Sequence, residues 1–233
     1  MLRILVVGHG RMGQLVERLS SGHGCEVAGV VSSRSGQDAI RSGDFGAVDV
    51  AIDFTQPAAV AGNFRQLAER KINVVIGTTG WQRDEPALRE IASRDGIGVL
   101  ASANFSIGMA VFRAVVQDAA RRFGPISDIG AWIHESHHVT KKDAPSGTAL
   151  MLKTAMEQAG YPRPVDVSST RAGSIPGTHV VGFAAPAETM TLVHEVRDRA
   201  VFAHGALQAA AWLKGRRGWF SMENMLENLK SGQ

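Results

Sequence analysis

The stretch that decides the fold of this chain is Leu2-Arg3-Ile4-Leu5-Val6-Val7-Gly8-His9-Gly10-Arg11-Met12-Gly13. Its first half is apolar except for Arg3, which is typical of a strand that is buried on both faces of a parallel sheet. Its second half has the pattern Gly-x-Gly-x-x-Gly and opens a segment with apolar residues at helical spacing, at Met12, Leu15, Val16 and Leu19. A strand, a glycine-rich turn and a helix in this order predict a loop that holds the pyrophosphate of a dinucleotide.

The three glycines of such a loop have separate tasks. Gly8 permits the tight turn, Gly10 lets the backbone approach the pyrophosphate, and Gly13 lets the helix pack on the strand. The helix start adds free N–H groups. We therefore predict cofactor binding by Gly8, His9, Gly10, Arg11, Met12 and Gly13. A glycine turn without a ligand is the alternative.

The second strand is followed by a signal for cofactor choice. An acidic residue ~20 positions after the glycine loop normally binds the ribose 2′-hydroxyl of NAD. This chain has Ser32, Ser33 and Arg34 there. A guanidinium binds phosphate through two parallel hydrogen bonds. Two uncharged serines followed by an arginine therefore suit a 2′-phosphate. We predict that NADPH is used at least as well as NADH, with Arg11 as a second contact; the alternative is that Arg34 is a solvated loop residue.

Strand-like runs alternate with helical segments through the first hundred residues. The later runs lie at Val27–Val31, Val48–Phe54, Asn73–Gly77 and Gly98–Ala101, and Pro57 opens one of the helices. This alternation predicts right-handed crossovers and a Rossmann-like, doubly wound parallel sheet. Open parallel sheets bind ligands at the carboxyl ends of their strands. The predicted cofactor site therefore also includes Gly77, Thr78 and Thr79, and Ser102, Ala103, Asn104 and Phe105.

The pattern changes after Asn104. A long helix is expected over Ile107–Phe123, and another after Pro145. Strands are expected at Ile126–His138, Val180–Phe183, Met190–Val196 and Val201–Ala203, which indicates a mixed or antiparallel sheet. The tail from Gly205 through Leu213 is predicted to be helical. The α/β chain thus divides into a dinucleotide-binding domain (1–104), a second, mixed α/β domain (105–201) and a C-terminal segment (202–233) that is expected to return to the first domain.

Composition excludes several classes of protein. With 44% hydrophobic and 20% charged residues, the 233-residue chain is globular rather than disordered. Its net charge is +3, and its basic residues are scattered along the sequence rather than clustered. This distribution does not indicate a nucleic-acid partner. The first apolar run is too short for a signal peptide, and none approaches the ~20 residues that span a membrane. The single cysteine, Cys25, fits a reducing compartment, so we expect a cytoplasmic protein.

The segment richest in chemistry is Glu135-Ser136-His137-His138-Val139-Thr140-Lys141-Lys142-Asp143-Ala144-Pro145-Ser146-Gly147-Thr148. Its proline introduces a helix whose free N–H groups would hold a carboxylate. A nearby histidine or lysine would neutralise the anion and donate a proton. Neighbouring strand residues face opposite sides, so His137 and His138 are not expected to share one role. A purely structural histidine is the alternative.

A zinc-protease pattern also occurs in this segment. His134-Glu135-Ser136-His137-His138 matches H-E-x-x-H, which binds zinc when both histidines lie on one face of a helix. Here the run follows a β-like segment, Ile129–Ile133, and strand residues four apart are separated by ~13 Å. We therefore predict no metal site.

The whole pattern resembles one family. E-x-H-H-x-x-K-x-D-A-P-S-G-T-A, from Glu135 to Ala149, resembles the signature of the 4-hydroxy-tetrahydrodipicolinate reductases. Further similarities are the G-x-G-R-M-G and G-T-T-G loops and the segments Ala103–Gly108, Arg171–His179 and Phe202–Leu213. The resemblance implies a homotetrameric, NADPH- or NADH-dependent oxidoreductase of lysine (diaminopimelate) biosynthesis. It also implies that the second domain (105–201) is the substrate-binding and oligomerisation domain, which builds the tetramer through its sheet. Such an enzyme reduces a dehydrated cyclic imine dicarboxylate to tetrahydrodipicolinate.

The resemblance also implies roles for individual residues. His137 matches the acid/base histidine and Lys141 the proton-donating lysine, whereas His138, Gly147 and Thr148 match positions that bind substrate carboxylates. The chain is shorter than many members between its second and third strands, and it lacks an acidic residue at Ser32 and Ser33, which leaves cofactor choice open. Two rival functions remain, a cofactor-binding sensor without turnover and a dehydrogenase of another small acid.

Overall fold

The computed structural model of the chain describes residues 1–36 and 38–230. Its strands, in chain order, are β1 (Leu2–Val7), β2 (Cys25–Val31), β3 (Val50–Asp53), β4 (Asn73–Ile76), β5 (Gly98–Ala101), β6 (Gly130–His137), β7 (Val165–Arg171), β8 (Thr178–Ala184), β9 (Thr189–Glu195) and β10 (Gly218–Phe220). Its α-helices are α1 (Arg11–Leu19), α2 (Ala39–Ser42), α3 (Pro57–Glu69), α4 (Glu85–Asp95), α5 (Ile107–Phe123), α6 (Gly147–Gln158), α7 (Ala200–Leu213) and α8 (Met222–Lys230).

The chain folds as two compact units. The first unit consists of Met1–Ile107 together with the chain from Ala200 onward, and the second consists of Gly108–Arg199. No helix in the described part of the chain is both long and apolar enough to cross a membrane.

The first unit contains a six-stranded sheet in the order β10-β5-β4-β3-β1-β2, with every pair parallel. The predicted doubly wound parallel sheet is therefore confirmed. Val7 at the end of β1 is in register with Val31 and Asp53, so the carboxyl ends of three strands lie level with one another. Inward-facing strand residues such as Leu5 pack with Phe64 of α3 in one buried core. This core fixes the edge at which the strand-to-helix loops emerge.

The second unit contains a mixed four-stranded sheet in the order β7-β6-β8-β9, in which only the β6–β7 pair is parallel. The expected mixed sheet is confirmed. Helices α5 and α6 supply Phe112 and Leu152 to a core that also contains Ile133 of β6. Because side chains alternate along a strand, Glu135 and His137 are buried like Ile133.

One predicted strand was wrong. Val201–Ala203 is not a strand but the first turn of α7. Three apolar residues are too few for periodicity to separate a strand from a helix. The alanines that follow favour a helix. The helix also packs closely, since a side-chain carbon on Gly205 would lie 1.7 Å from the Phe105 carbonyl oxygen.

Two strands were not predicted. β7 begins with the alternating residues Val165 and Val167 but continues as Ser-Ser-Thr, because that part of the strand is mostly exposed. β10 has three residues and adds a sixth strand beside β5. Neither run carries the apolar pattern by which a buried strand is recognised.

Candidate active site

The glycine-rich loop joins β1 to α1, and close packing requires its glycines. Gly8 has a φ of +91°, and a side-chain carbon there would lie 2.3 Å from the Phe54 carbonyl oxygen. A side-chain carbon on Gly13 would lie 1.8 Å from the Gly8 carbonyl oxygen. At Gly10 such a carbon would meet nothing within 4 Å, and no side chain caps the helix start there. The loop therefore presents open backbone and helix N–H groups, as phosphate binding requires.

A crevice of about 1190 Å³ opens at this loop, within the first unit. It brings together six of the residues predicted from the sequence, namely Gly8, His9, Gly10, Ser32, Ser33 and Arg34. Arg11, Met12 and Gly13 lie in the first turn of α1, outside the lining of the crevice. Pockets for drug-sized ligands measure about 300–1,000 Å³, so the crevice has room for a dinucleotide.

Part of the crevice is formed by residues that the sequence does not predict as cofactor ligands. The loop after β3 and one face of α3 contribute Phe54, Thr55, Gln56, Ala58, Ala59, Gly62, Asn63, Arg65, Gln66 and Glu69. A signal for the loop was available, because Asp53-Phe54-Thr55 directly follows a buried strand at the edge where ligands bind. The helical face carried no comparable signal, since its lining residues are chemically mixed.

Arg34 lies on an exposed turn after β2. The Ser32 hydroxyl oxygen accepts a hydrogen bond from the Arg34 backbone N–H at 3.3 Å, which fixes the turn. Within the described residues, the Arg34 guanidinium has no hydrogen-bond partner. Arg41, which also lines the crevice, is instead bound by Glu69 at 2.9 Å and Asp38 at 2.9 Å. Of these two arginines, Arg34 is the one whose guanidinium is available to a ligand.

A buried carboxylate organises the loops after β3 and β4. Asp53 is 2% exposed and accepts hydrogen bonds from the Thr55 N–H at 3.0 Å, the Thr78 hydroxyl at 2.9 Å and the Asn63 amide at 3.1 Å. Burial raises the pKa of Asp53 above its ordinary value. Thr78 was predicted as a cofactor residue, and its side chain is committed to this network.

The two outer loops of the predicted cofactor site do not line the crevice. Gly77 lies where a side-chain carbon would be 2.1 Å from the Phe54 ring. Phe105 is buried, and its ring packs edge-on against Phe54 with a centroid separation of 6.2 Å. Ser102 and Asn104 form a turn in which the Ser102 hydroxyl donates to the Asn104 carbonyl at 2.8 Å. Cofactor binding by these residues, and by Thr79 and Ala103, stays a prediction.

The histidine-lysine segment lies in the second unit, at the end of β6. His137 is buried, whereas His138 follows the strand, is half-buried and bonds the Thr140 hydroxyl through Nδ1 at 2.7 Å. The two histidines thus have different surroundings. His134, the first residue of the zinc-like pattern, lies on the strand and bonds Ser168 at 2.8 Å. In the described residues, no three His, Cys, Asp or Glu side chains are grouped to hold a metal ion.

Around His137 lies a buried polar network that is not predicted from the sequence. Glu135 is fully buried and bonds His137 Nδ1 through Oε2. Arg171 of β7 donates to both Glu135 oxygens, at 3.0 and 2.7 Å. The ring of His179 on β8 meets the His137 ring edge-on at a centroid separation of 5.2 Å. The available signal was Glu135 itself, a carboxylate two residues from His137 on the same strand face.

The network changes the protonation of its members. Burial opposes ionisation of Glu135, but hydrogen bonds from Arg171, Ser169 and His137 outweigh it and lower the pKa of Glu135 to about 2. Burial lowers the pKa of His137 despite Glu135, and the charges of Lys141 and Arg171 add to this effect. Burial also lowers the pKa of His179 to about 4. At neutral pH the site therefore combines an ionised carboxylate with neutral imidazoles.

Helix α6 begins beside this network. The Ser146 hydroxyl caps it by accepting from the Ala149 N–H at 3.2 Å. The Gly147 N–H donates to an Asp143 carboxylate oxygen at 3.3 Å, and the Lys141 ammonium binds both Asp143 oxygens, at 2.6 and 2.9 Å. The carboxylate of Asp143 thus contacts the Gly147 N–H and the Lys141 ammonium, which are groups of the kind predicted to bind a substrate carboxylate.

A doubly wound parallel sheet with a glycine-rich loop at a crevice of dinucleotide size is typical of the dinucleotide-binding α/β proteins. The family models described as "Dihydrodipicolinate reductase, N-terminus" and "Dihydrodipicolinate reductase, C-terminus" match residues 2–105 and 108–226. The chain belongs to the dihydrodipicolinate reductase family, which confirms the resemblance of its motifs.

Individual relatives agree with this assignment. The 4-hydroxy-tetrahydrodipicolinate reductase of Christiangramia forsetii is 32% identical over 98% of this chain and 99% of its own length. The enzyme of that name from Caldanaerobacter subterraneus subsp. tengcongensis is 35% identical over 97% of this chain and 99% of its own. A dipicolinate-bound dihydrodipicolinate reductase from Paenisporosarcina sp. TG-14 shares the fold, with a TM-score of 0.79 at 22% identity, and covers 97% of this chain and 99% of its own.

Proposed function

We propose that this chain is a 4-hydroxy-tetrahydrodipicolinate reductase of lysine biosynthesis. Its substrate is a cyclic imine dicarboxylate, formed by loss of water from the hydroxylated precursor, and its product is tetrahydrodipicolinate. The observation that carries the proposal is the similarity, over 97% of the chain or more, to relatives of that name. The dipicolinate bound by the structural relative is a ring dicarboxylate of the same chemical class.

The residues of the crevice suit a nicotinamide dinucleotide. Gly8, Gly10 and the start of α1 would hold the pyrophosphate, because their backbone is open and no side chain caps the helix. Arg34 would meet a 2′-phosphate, which supports NADPH as a cofactor used at least as well as NADH. When bound, the reduced dinucleotide supplies a hydride.

Substrate carboxylates would bind at the start of α6. Gly147 offers a backbone N–H, Thr148 a hydroxyl and His138 an imidazole. The contacts of Asp143 with Gly147 and Lys141 support this role, since they have the chemistry that a substrate carboxylate needs. A substrate would then replace Asp143 at these donors.

The proton that completes the reduction would come from Lys141. After hydride addition to the conjugated ring, the resulting enamine needs a proton at carbon. The Lys141 ammonium provides it: its N–H bond breaks, a C–H bond forms and a neutral amine remains. His137 is the acid/base partner of this lysine, and the positive charge of Lys141 already acts on the pKa of His137.

We also propose a homotetramer that assembles through the sheet of the second unit. One face of that sheet packs on helices, and the other carries the cross-strand row Ser168, His134, Val180 and Val193. The Trp132 ring covers Gly182 on this same face, where a side-chain carbon would lie 2.2 Å from the ring. Val193 is 58% exposed. A sheet face that carries apolar side chains, one of them exposed, suits a second copy of the chain.

We further propose a cytoplasmic location, because Cys25 is buried and forms no disulfide.

A coupled assay tests the function. The substrate is generated in situ by condensing pyruvate with aspartate semialdehyde, and NADPH absorbance is followed after the chain is added. We expect consumption of NADPH that requires both precursors. Cofactor binding without turnover would favour a sensor, and turnover only with another small acid would favour a different dehydrogenase.

A further inference from the structure

We propose that Glu135 is a positioning residue that holds His137 in the tautomer with its proton on Nδ1. This leaves Nε2 as the atom with a lone pair, so that His137 accepts a hydrogen bond or proton and Lys141 alone donates. The separate roles of His137 as acceptor and Lys141 as donor rest on the proposed function. The tautomer itself is a property of the folded chain and can be measured without turnover.

The contacts of Glu135 determine the tautomer. An ionised carboxylate can only accept hydrogen bonds, so the Nδ1 atom that contacts Glu135 Oε2 must carry a proton. Glu135 stays ionised because Arg171 binds both of its oxygens, at 3.0 and 2.7 Å, and the Ser146 N–H donates to Oε1 at 3.2 Å. With 0% of Glu135 exposed, water does not compete for these contacts. A neutral imidazole with Nδ1 protonated has its lone pair on Nε2.

The Nε2 side of the His137 ring faces Gly177, which has no side chain. A side-chain carbon on Gly177 would lie 3.1 Å from His137 Nε2, and Gly177 has a φ of +151°, which favours glycine. The neighbouring His179 contacts the Ser146 hydroxyl through its Nε2 atom, at 3.3 Å. The charged and titratable groups around the ring are thus Glu135 on β6, Lys141 after β6, Arg171 on β7 and His179 on β8.

This arrangement separates the tasks of the two candidate catalytic groups. Lys141 has donors and no acceptor, whereas neutral His137 offers an acceptor at Nε2. If His137 carried its proton on Nε2, both groups would be donors toward a substrate, and neither could accept. Glu135 therefore acts on the chemistry through His137, as a carboxylate does when it fixes the tautomer of a catalytic histidine.

The first test measures the tautomer in the wild-type chain. Long-range ¹H–¹⁵N correlation spectra are recorded at neutral pH on ¹⁵N-histidine-labelled protein, and the His137 signals are identified by their loss in His137→Gln. We expect a protonated Nδ1 and an unprotonated Nε2. A proton on Nε2 would overturn the proposal, whatever the activity of the chain. The reverse combination, an inactive wild type with Nδ1 protonated, would contradict the proposed function and leave the assignment of Glu135 intact.

The second test compares Glu135→Gln with Glu157→Gln, which changes an exposed carboxylate on α6. The amide that replaces the Glu135 carboxylate both donates and accepts, so we expect the His137 proton to be shared between both nitrogens and kcat to fall on the order of 10²-fold. The dissociation constant for NADPH should be unchanged in Glu135→Gln. The control, Glu157→Gln, should keep the tautomer of His137 and the kcat of the wild type. A mixed tautomer with wild-type kcat would show that positioning by Glu135 does not matter.

A third variant covers the case in which Glu135→Gln does not fold. Arg171→Lys keeps a cation beside Glu135, so Glu135 should stay ionised and His137 should keep its proton on Nδ1. A proton on Nε2 in this folded variant would contradict the role given to the ionised carboxylate.

Discussion

Among single residues, Lys141 is the proposed proton donor, and its ammonium binds both oxygens of Asp143, at 2.6 and 2.9 Å. We predict that Lys141→Ala lowers kcat ~10²-fold or more, as loss of a general acid does. The dissociation constant for NADPH should change little, since Lys141 lies outside the crevice. Steady-state kinetics and cofactor titration measure the two effects. Turnover at the wild-type rate would exclude proton donation by Lys141.

Arg34 is the residue on which cofactor preference depends. We predict that Arg34→Ala lowers kcat/KM for NADPH ~10-fold or more and leaves kcat/KM for NADH nearly unchanged, because only the former loses a charge-assisted phosphate contact. The control is Arg18→Ala, which removes an exposed arginine of α1 outside the crevice. Equal losses with both cofactors would assign the 2′-phosphate to another residue.

The buried histidine His179 makes the fold sensitive to acid. Its pKa is about 4 in the folded chain against an ordinary value of 6.5, so the unfolded chain binds the proton more readily between these values. The free energy of unfolding should therefore decrease as pH falls from 6.5 to about 4, by about 3 kcal/mol from this residue. Glu135 adds a further loss only as pH falls from 4.5 to about 2.

Urea unfolding at several pH values checks this prediction. In His179→Gln the decrease between pH 6.5 and about 4 should be smaller than in wild type by the contribution of this residue. Part of it should remain, because burial also lowers the pKa of His137 and of His194, and the decrease below pH 4.5 should persist. His134→Gln, which replaces a half-exposed histidine on the other face of β6, is the control. An unchanged profile in His179→Gln would show that His179 is not the titrating group.

At the scale of elements, the start of α6 binds a carboxylate of the chain itself, that of Asp143. Asp143 receives the Gly147 N–H at 3.3 Å and the Lys141 ammonium, and it competes with a substrate for both. We predict that Asp143→Asn lowers the inhibition constant of dipicolinate about twofold to fivefold, since an exposed ion pair is worth up to about 1 kcal/mol. Asp128→Asn, in an exposed loop, is the matched control. A higher inhibition constant would mean that Asp143 helps to bind the substrate.

The elements that position the site differ in how far their sequences predict them. β1 and α1 were predictable because a buried apolar strand, three glycines and a helical apolar face all indicate the same structure. The strand β6 and the start of α6 were predictable from Ile129–Ile133 and Pro145. β7 was not, because most of its side chains are exposed, and its Arg171 was therefore not placed beside Glu135.

Contacts between distant segments set the limit of such prediction. The sequence indicates that His137 and Lys141 carry chemistry, but it does not indicate that Arg171, 36 residues from Glu135, binds that carboxylate. In the same way, the sequence predicts a phosphate contact for Arg34, but it does not indicate that Arg41 lines the same crevice. Only the fold shows that Glu69, 28 residues away, already binds Arg41.

At the scale of the whole molecule, the uncovered face of the second unit's sheet predicts the oligomeric state. Val193 is 58% exposed and is paired across the strands with Val180, so a lysine at position 193 would place a charge in the proposed interface without disturbing the core. We predict a tetramer for wild type and smaller species for Val193→Lys, measured by light scattering after size exclusion. Ile126→Lys, a charge at a residue that is 49% exposed outside this sheet, should leave the tetramer intact. A monomeric wild type would exclude assembly through this face, and a tetrameric Val193→Lys would place the interface elsewhere.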